Sequence, residues 1–294
     1  MSHIHLLNRR ANALILRHPL AFVLRVLKGF RDNQGLLLAG AVAYYALLSI
    51  VPFLILVVVA LSHVFDTAEL LQTSRRYLAW LVPGQSKELV AELAHFIDNR
   101  ELITWVLGAT MLFFSSLAFA VLEKAMSVIF YHRVAVRRRH FLVSALLPYC
   151  YIVALGMGAL LVTLVAGMLQ VLGTESVAFL GHRWSLVGVS GVLLYLLGLG
   201  GEILVLSSIY LVMPVGRLSL AHALIGGAAA ALLWEGARHV LVWYFSTLSQ
   251  VNVVYGSMST AIVVMFSLEI GATLLLLGAQ VIAEYERAGQ GDAA

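Results

Sequence analysis

The chain is poor in the residues from which soluble catalytic domains are built. Only 12% of its 294 residues are charged, against about a quarter in soluble domains, which excludes an ordinary cytosolic enzyme. The single cysteine, Cys150, has no intramolecular disulfide partner and supplies no cysteine-rich metal site. It falls in an apolar run and reads as packing. There is no HExxH, no paired CxxC, no GxxxxGK[ST] phosphate loop and no GxGxxG after a strand. The ten histidines are scattered, and His3-x-His5 is a weak metal signal. No cofactor is expected, and neither metal-assisted hydrolysis nor ATP-driven pumping has a motif to carry it.

What the chain has instead is apolar length. It is 61% hydrophobic, with a mean hydropathy of +0.94. About 20 apolar residues cross the hydrocarbon core as a helix, and six segments qualify: roughly 36–62, 102–122, 141–172, 185–212, 219–244 and 256–282. The expected fold is therefore all-α, one integral membrane domain over residues 1–294 with six transmembrane helices. Pro52 is expected to bend the first span, because it removes one backbone hydrogen bond. Pro148 and Pro214 punctuate the ends of others.

The formal charge of +4 and the pI near 9.3 do not point to nucleic acid, because the basic residues cluster beside the spans. Six lie in residues 1–35 (Arg9, Arg10, Arg17, Arg25, Lys28, Arg31) and five in 123–140 (Lys124, Arg133, Arg137, Arg138, Arg139). Arg217 and Arg287 fall on the same side. Arg75, Arg76, Lys87, Arg100 and Arg183 fall on the other. The excess of Lys and Arg on one side places both termini in the cytoplasm. No cleavable signal peptide is expected, since no small-residue cleavage site follows an N-terminal apolar core.

Two further segments carry structure of their own. Residues 20–31, LAFVLRVLKGFR, set Arg25, Lys28 and Arg31 at three-residue spacing beside an apolar face. The pattern suits either an interfacial helix on an anionic leaflet or a short helix docked on the bundle. The connection at about 66–100 alternates apolar and charged residues, and after Pro83-Gly84 it offers Ser86 as a helix cap. Two amphipathic helices forming a periplasmic cap are expected there.

The candidate site comes from charge in the wrong solvent. Glu202, Glu235 and Glu269 lie deep in the last three spans, within roughly 10 Å of mid-depth at about 1.5 Å per helical residue. Intramembrane ionisable residues usually face a bundle interior or a water-filled cavity. Arg238 and His239 follow Glu235 on one helical face, and Glu269, Thr273 and Gln280 form a polar stripe on the sixth span. Gly191, Tyr195, Gly198 and Glu202 share a face of the fourth, and Gly226/Ala230 with Gly227/Ala231 are small-xxx-small pairs on the fifth. On the bland reading, Glu235 and Arg238 neutralise each other and hold the bundle together. On the sharp reading, Glu202, Glu235, Arg238, His239, Glu269, Thr273 and Gln280 line a substrate or proton pathway. Insertion costs of about 2.5–3.5 kcal/mol per central charge make several such residues a heavy load for structure alone.

The runs AVAYYALLSIVPFLILV, FYHRVAVRRR, GGAAAALLWEGAR and YGSMSTAIVVMFSLEIGATLLLLGAQVIAEYE, in that order, resemble the YihY/BrkB family of bacterial inner-membrane proteins. The resemblance runs from about Leu36 to Tyr285. It implies six transmembrane helices, a cytoplasmic-membrane location and no settled activity. Members have been labelled ribonuclease BN or virulence factors, and the ribonuclease label finds no histidine cluster or two-metal acidic site here. This chain reads Phe266-Ser267-Leu268-Glu269 where the family pattern places a tryptophan, so its local lining differs.

Two functions are weighed from the sequence. One is a transporter moving a small solute or lipid through a polar intramembrane cavity without ATP. Protons are the natural coupling ion, since desolvation favours the neutral acid and a neighbouring charge reverses that. The other is a non-transporting envelope assembly or virulence scaffold, recruiting an envelope protein through the cap near Trp80. Membrane lipids are the expected partners, with Arg25, Lys28, Arg31, Arg137, Arg138 and Arg139 as a basic collar for headgroups or as plain orientation signal. The small-residue stripes serve helices of one chain or of two copies, leaving a homo-oligomer open.

Overall fold

A computed structural model describes residues 17–62, 105–130, 177–179, 182–184, 187–213, 218–247 and 259–290, with isolated positions between 71 and 97 and between 150 and 165. The elements in order are α1 (Pro19–Asp32), α2 (Gly35–Leu61), α3 (Trp105–Ile129), β1 (Val177–Phe179), β2 (His182–Trp184), α4 (Val187–Val212), α5 (Leu220–Thr247) and α6 (Ser259–Gln290). Five helices are long and apolar enough to cross a membrane among the described residues. The expected third span, 141–172, lies largely outside them. Its described positions are helical, and the Tyr151 hydroxyl pairs with Ser208 and donates to the Val205 carbonyl at 3.1 Å.

Two helices outrun their expected ends. α3 continues past residue 122 to Ile129, taking Glu123 and Lys124 into the helix, and α6 continues past 282 to Gln290. Hydropathy marks where apolar residues stop, not where backbone hydrogen bonding stops. The 32 residues of α6 measure about 48 Å at 1.5 Å each, against a hydrocarbon core of about 30 Å. α2 runs unbroken through Pro52. β1 and β2 form a small antiparallel hairpin, pairing Val177 with Trp184 and Phe179 with His182, inside the connection expected between the third and fourth spans.

The chain divides into two compact units. The first comprises residues up to Asn33, 126–235 and from Leu274 onward. Its centre is a close approach of α4, α5 and α6. A methyl group on Gly227 would sit 2.8 Å from the Ile203 carbonyl oxygen and 2.9 Å from the Ser207 amide nitrogen. One on Gly278 would sit 2.9 Å from the Ala230 Cβ and 3.0 Å from the Gly226 carbonyl oxygen. Only glycine lets these backbones meet, as membrane helices do when small residues line the seam. Tyr210 fills the remaining space, fully buried, with its hydroxyl donating to the Leu275 carbonyl at 2.7 Å.

α1 is docked on this unit. Pro19 suits its first turn, where no amide is needed. Val26 and Phe30 are buried, and Gly29 lies against Gln280 and Glu284. Gln34, at φ 55°, adopts the left-handed conformation that ends α1 before α2 begins.

The second unit comprises residues 34–125 and 236–273. Here Ser49 ties α2 to α3: its hydroxyl donates to the Phe114 carbonyl at 2.9 Å and accepts the Ala118 amide at 3.1 Å. Ile55 and Val58 of α2 and Met111 of α3 form a core with Ile97, against which Leu71 and Val90 pack. These last three belong to the expected cap. Its described positions are helical, while Trp80 and the rest lie outside the described residues.

Candidate functional site

α4 and α5 bring two of the sequence-selected residues into a polar pair. Tyr195, on α4, donates its hydroxyl to Glu235 Oε1 on α5 at 3.3 Å. Glu202 lies seven residues beyond Tyr195, two helical turns along the same face. It is half-buried, and its Oε1 is sealed from solvent. A methyl on Gly191 or Gly198, on the face expected to pack closely, would meet nothing within 4 Å among the described residues. The contact on α4 is made instead lower down, at Ile203 and Ser207, where Ser207 back-bonds to the Ile203 carbonyl at 2.6 Å.

In the second unit, α5 and α6 enclose an apolar groove of about 260 Å³. Ala237, Val240, Trp243 and Tyr244 line it from α5, and Phe266 and Ile270 line it from α6. Ala237, Val240 and Tyr244 follow the i, i+3, i+7 spacing of one face. On α6, successive residues turn by about 100°, which puts Glu269 and Thr273 within about 60° of Phe266. A half-buried carboxylate and a half-buried hydroxyl thus flank an apolar lining. The Glu269 carboxylate also lies over α2, 3.8 Å from where a methyl on Gly40 would stand. Arg238 and His239 are exposed.

Gln280 belongs to a different assembly. It is fully buried, accepts a hydrogen bond from Asn33 Nδ2 at 2.9 Å and donates to Glu284 Oε1 at 3.0 Å. Arg287 closes the set by donating to the same Glu284 oxygen at 2.7 Å. Nearby on α5 and α6, His222 Nδ1 lies 3.6 Å from Glu286 Oε1, and its ring meets Tyr285 edge-on at 5.4 Å. Ser219 precedes α5 and accepts the His222 amide at 3.3 Å, the role of a helix cap. Asn33, His222, Glu284 and Glu286 escape selection from sequence because they sit at span ends, where polar residues are unremarkable. The Ser219-x-x-His222 spacing was the one local signal.

Of the basic collar, Arg25, Lys28 and Arg31 lie on α1 and are exposed. Arg137, Arg138 and Arg139 lie outside the described residues.

Residues 26–294 match the protein family described as virulence factor BrkB. The chain belongs to the BrkB family. A UPF0761 membrane protein of Alkalilimnicola ehrlichii is 28% identical over 92% of this chain and 60% of the relative. One from Chlorobium limicola is 26% identical over 87% of the chain and 56% of the relative. A third, from Azotobacter vinelandii, is 25% identical over 86% and 60% respectively. The chain thus spans somewhat under two thirds of the length of these relatives. No solved structure matches it. With relatives named as membrane proteins and five membrane-length apolar helices, this BrkB-family chain is a polytopic helical membrane protein. The family and these relatives are named as a virulence factor and as membrane proteins, not as an enzyme class.

Proposed function

We propose that this BrkB-family protein moves a small solute or lipid across the bacterial inner membrane without ATP, with both termini in the cytoplasm. A lipid suits the site better than an ion does. The observation that carries this reading is the apolar groove between α5 and α6, bordered on α6 by Glu269 and Thr273. An acyl chain fits a cavity lined by Val240, Tyr244, Phe266 and Ile270, whereas a hydrated ion loses its solvent against these apolar side chains. At about 260 Å³ the groove falls just under the roughly 300 Å³ lower bound of sites that enclose a drug-sized ligand, room for part of a lipid rather than the whole. Arg238, His239 and Glu269, in the same unit as the groove, then serve the polar headgroup or the coupling proton, and Glu202 and Glu235 serve the same movement from their own unit, which explains charge at depths where it is costly. Gln280 is accounted for by its bonds to Asn33 and Glu284.

The test is reconstitution into vesicles carrying a trace of fluorescent phospholipid, with an impermeant reductant added outside. Protein-containing vesicles should lose the inner-leaflet signal that empty vesicles keep, with or without a pH gradient. Identical traces from the two overturn the lipid reading. The scaffold alternative predicts that identity, together with capture of an envelope protein that depends on residues 66–100.

A further inference from the structure

Among the described residues α1 is held by one side only, and the rest of its circumference is divided by chemistry. Taking Val26 as zero and about 100° per residue, the docked sector runs from Gly29 through Val26 to Phe30, some 100° wide. Val23, Leu27, Leu20 and Leu24 follow at about 60–160°, and all are exposed, Leu20 at 79% and Leu24 at 65%. Arg31, Lys28 and Arg25 occupy about 140–260°, also exposed, with Asp32 the one acidic residue among them. The docking contacts fix this orientation. Val26 and Phe30 are buried, Gly29 abuts Gln280 and Glu284, and Asn33 bonds to Gln280.

We infer that α1 is a membrane-surface helix that binds anionic phospholipid, its leucine sector sunk among the acyl chains and its Arg25–Lys28–Arg31 row at the headgroup phosphates. Only Asn33 and Gln34 separate α1 from α2, a 27-residue apolar helix, so α1 necessarily starts at one face of the bilayer. Four neighbouring large apolar side chains in water are a liability, and the solvent that removes it is already at hand. A basic row beside an apolar sector is the arrangement that places a helix in the interface plane. Lipid phosphate is the complement the row selects. This inference is independent of the translocation reading, and a protein that moves nothing still satisfies it.

The experiment uses the full chain in nanodiscs that hold one copy each, which removes self-association as a source of protection. In a Cys150→Ser background, Leu24→Cys and Lys28→Cys variants carry an environment-sensitive fluorophore in discs of phosphatidylcholine with or without phosphatidylglycerol. The probe at position 24 should be quenched by brominated acyl chains and shielded from iodide, and the probe at 28 should show the reverse. Joint replacement Arg25→Gln, Lys28→Gln and Arg31→Gln should lower the preference for fluorescent phosphatidylglycerol over phosphatidylcholine by about fivefold per residue removed. Arg25→Lys with Arg31→Lys should retain it. The joint variant leaves Val26, Gly29 and Phe30 in place, and an unchanged melting temperature confirms that it folds. Iodide access at position 24 in every lipid, or an unchanged preference in the joint variant, overturns the inference.

Discussion

Asn33 and Gln280 stand 247 positions apart and are joined by a hydrogen bond of 2.9 Å, with Gln280 wholly removed from solvent. The bond fastens the end of α1 to α6, and Glu284 occupies the other end of the Gln280 amide at 3.0 Å. A buried amide that loses a partner keeps its desolvation penalty, so Asn33→Ala, which strands the Gln280 oxygen, should destabilise the protein by about 1–3 kcal/mol. Unfolding free energies of Asn33→Ala, Gln280→Ala and the double variant in detergent should give a coupling of at least about 0.5 kcal/mol. Additive effects would show that the two amides do not depend on each other.

Gly227 and Gly198 both sit in membrane-length helices yet should respond oppositely to the same change. A methyl on Gly227 meets the Ile203 carbonyl oxygen at 2.8 Å, and this is backbone that cannot step aside. Gly227→Ala should therefore lower the melting temperature sharply. A methyl on Gly198 meets nothing within 4 Å among the described residues, and Gly198→Ala should be neutral or stabilising by up to about 1 kcal/mol through helix propensity. Thermal unfolding of the two variants side by side checks the α4–α5 seam.

Ser49 makes the corresponding tie in the second unit. It donates to Phe114 and accepts from Ala118, so Ser49→Ala removes both bonds from a buried position. The expected loss is about 1–3 kcal/mol, and Ser49→Thr, which keeps the hydroxyl, should recover part of it. Denaturant unfolding in one detergent measures both.

Ala237 offers a way to close the groove without touching a charge. It lines the cavity opposite Phe266, and a tryptophan there would fill space that is now empty. Ala237→Trp should suppress fluorescent-lipid movement several-fold while the melting temperature stays close to wild type. Undiminished movement in a folded Ala237→Trp protein would place the lipid path elsewhere.

Much of the architecture was legible because apolar runs of span length have few alternatives. The expected ranges 36–62 and 219–244 fall within a few residues of α2 and α5. Helix ends were not legible, since α3 carries Glu123-Lys124 inside its last turns and polar residues there look like a loop. The hairpin at 177–184 escaped because strands of three residues show no periodicity. Gly227 was readable as a close-packing residue from its spacing to Ala231. Gly191 and Gly198 share a face seven residues apart and pack against nothing among the described residues, because spacing selects a face without naming its neighbour. Gln280 looked like part of a stripe with Glu269 and Thr273. Its partner Asn33 caps the end of α1, and only the fold brings them together.

The intramembrane carboxylates are proposed to serve movement rather than cohesion, and Glu235 is where the two are most cleanly separated. A glutamine at that position still accepts the Tyr195 hydroxyl through its amide oxygen, so the contact observed at 3.3 Å survives while the ionisable group is lost. The decisive measurement is fluorescent-lipid movement by reconstituted Glu235→Gln and Glu269→Gln proteins whose insertion and melting temperature match wild type. Loss of movement in both is expected. Wild-type movement in both, with the wild-type protein active, would leave those carboxylates a structural role only.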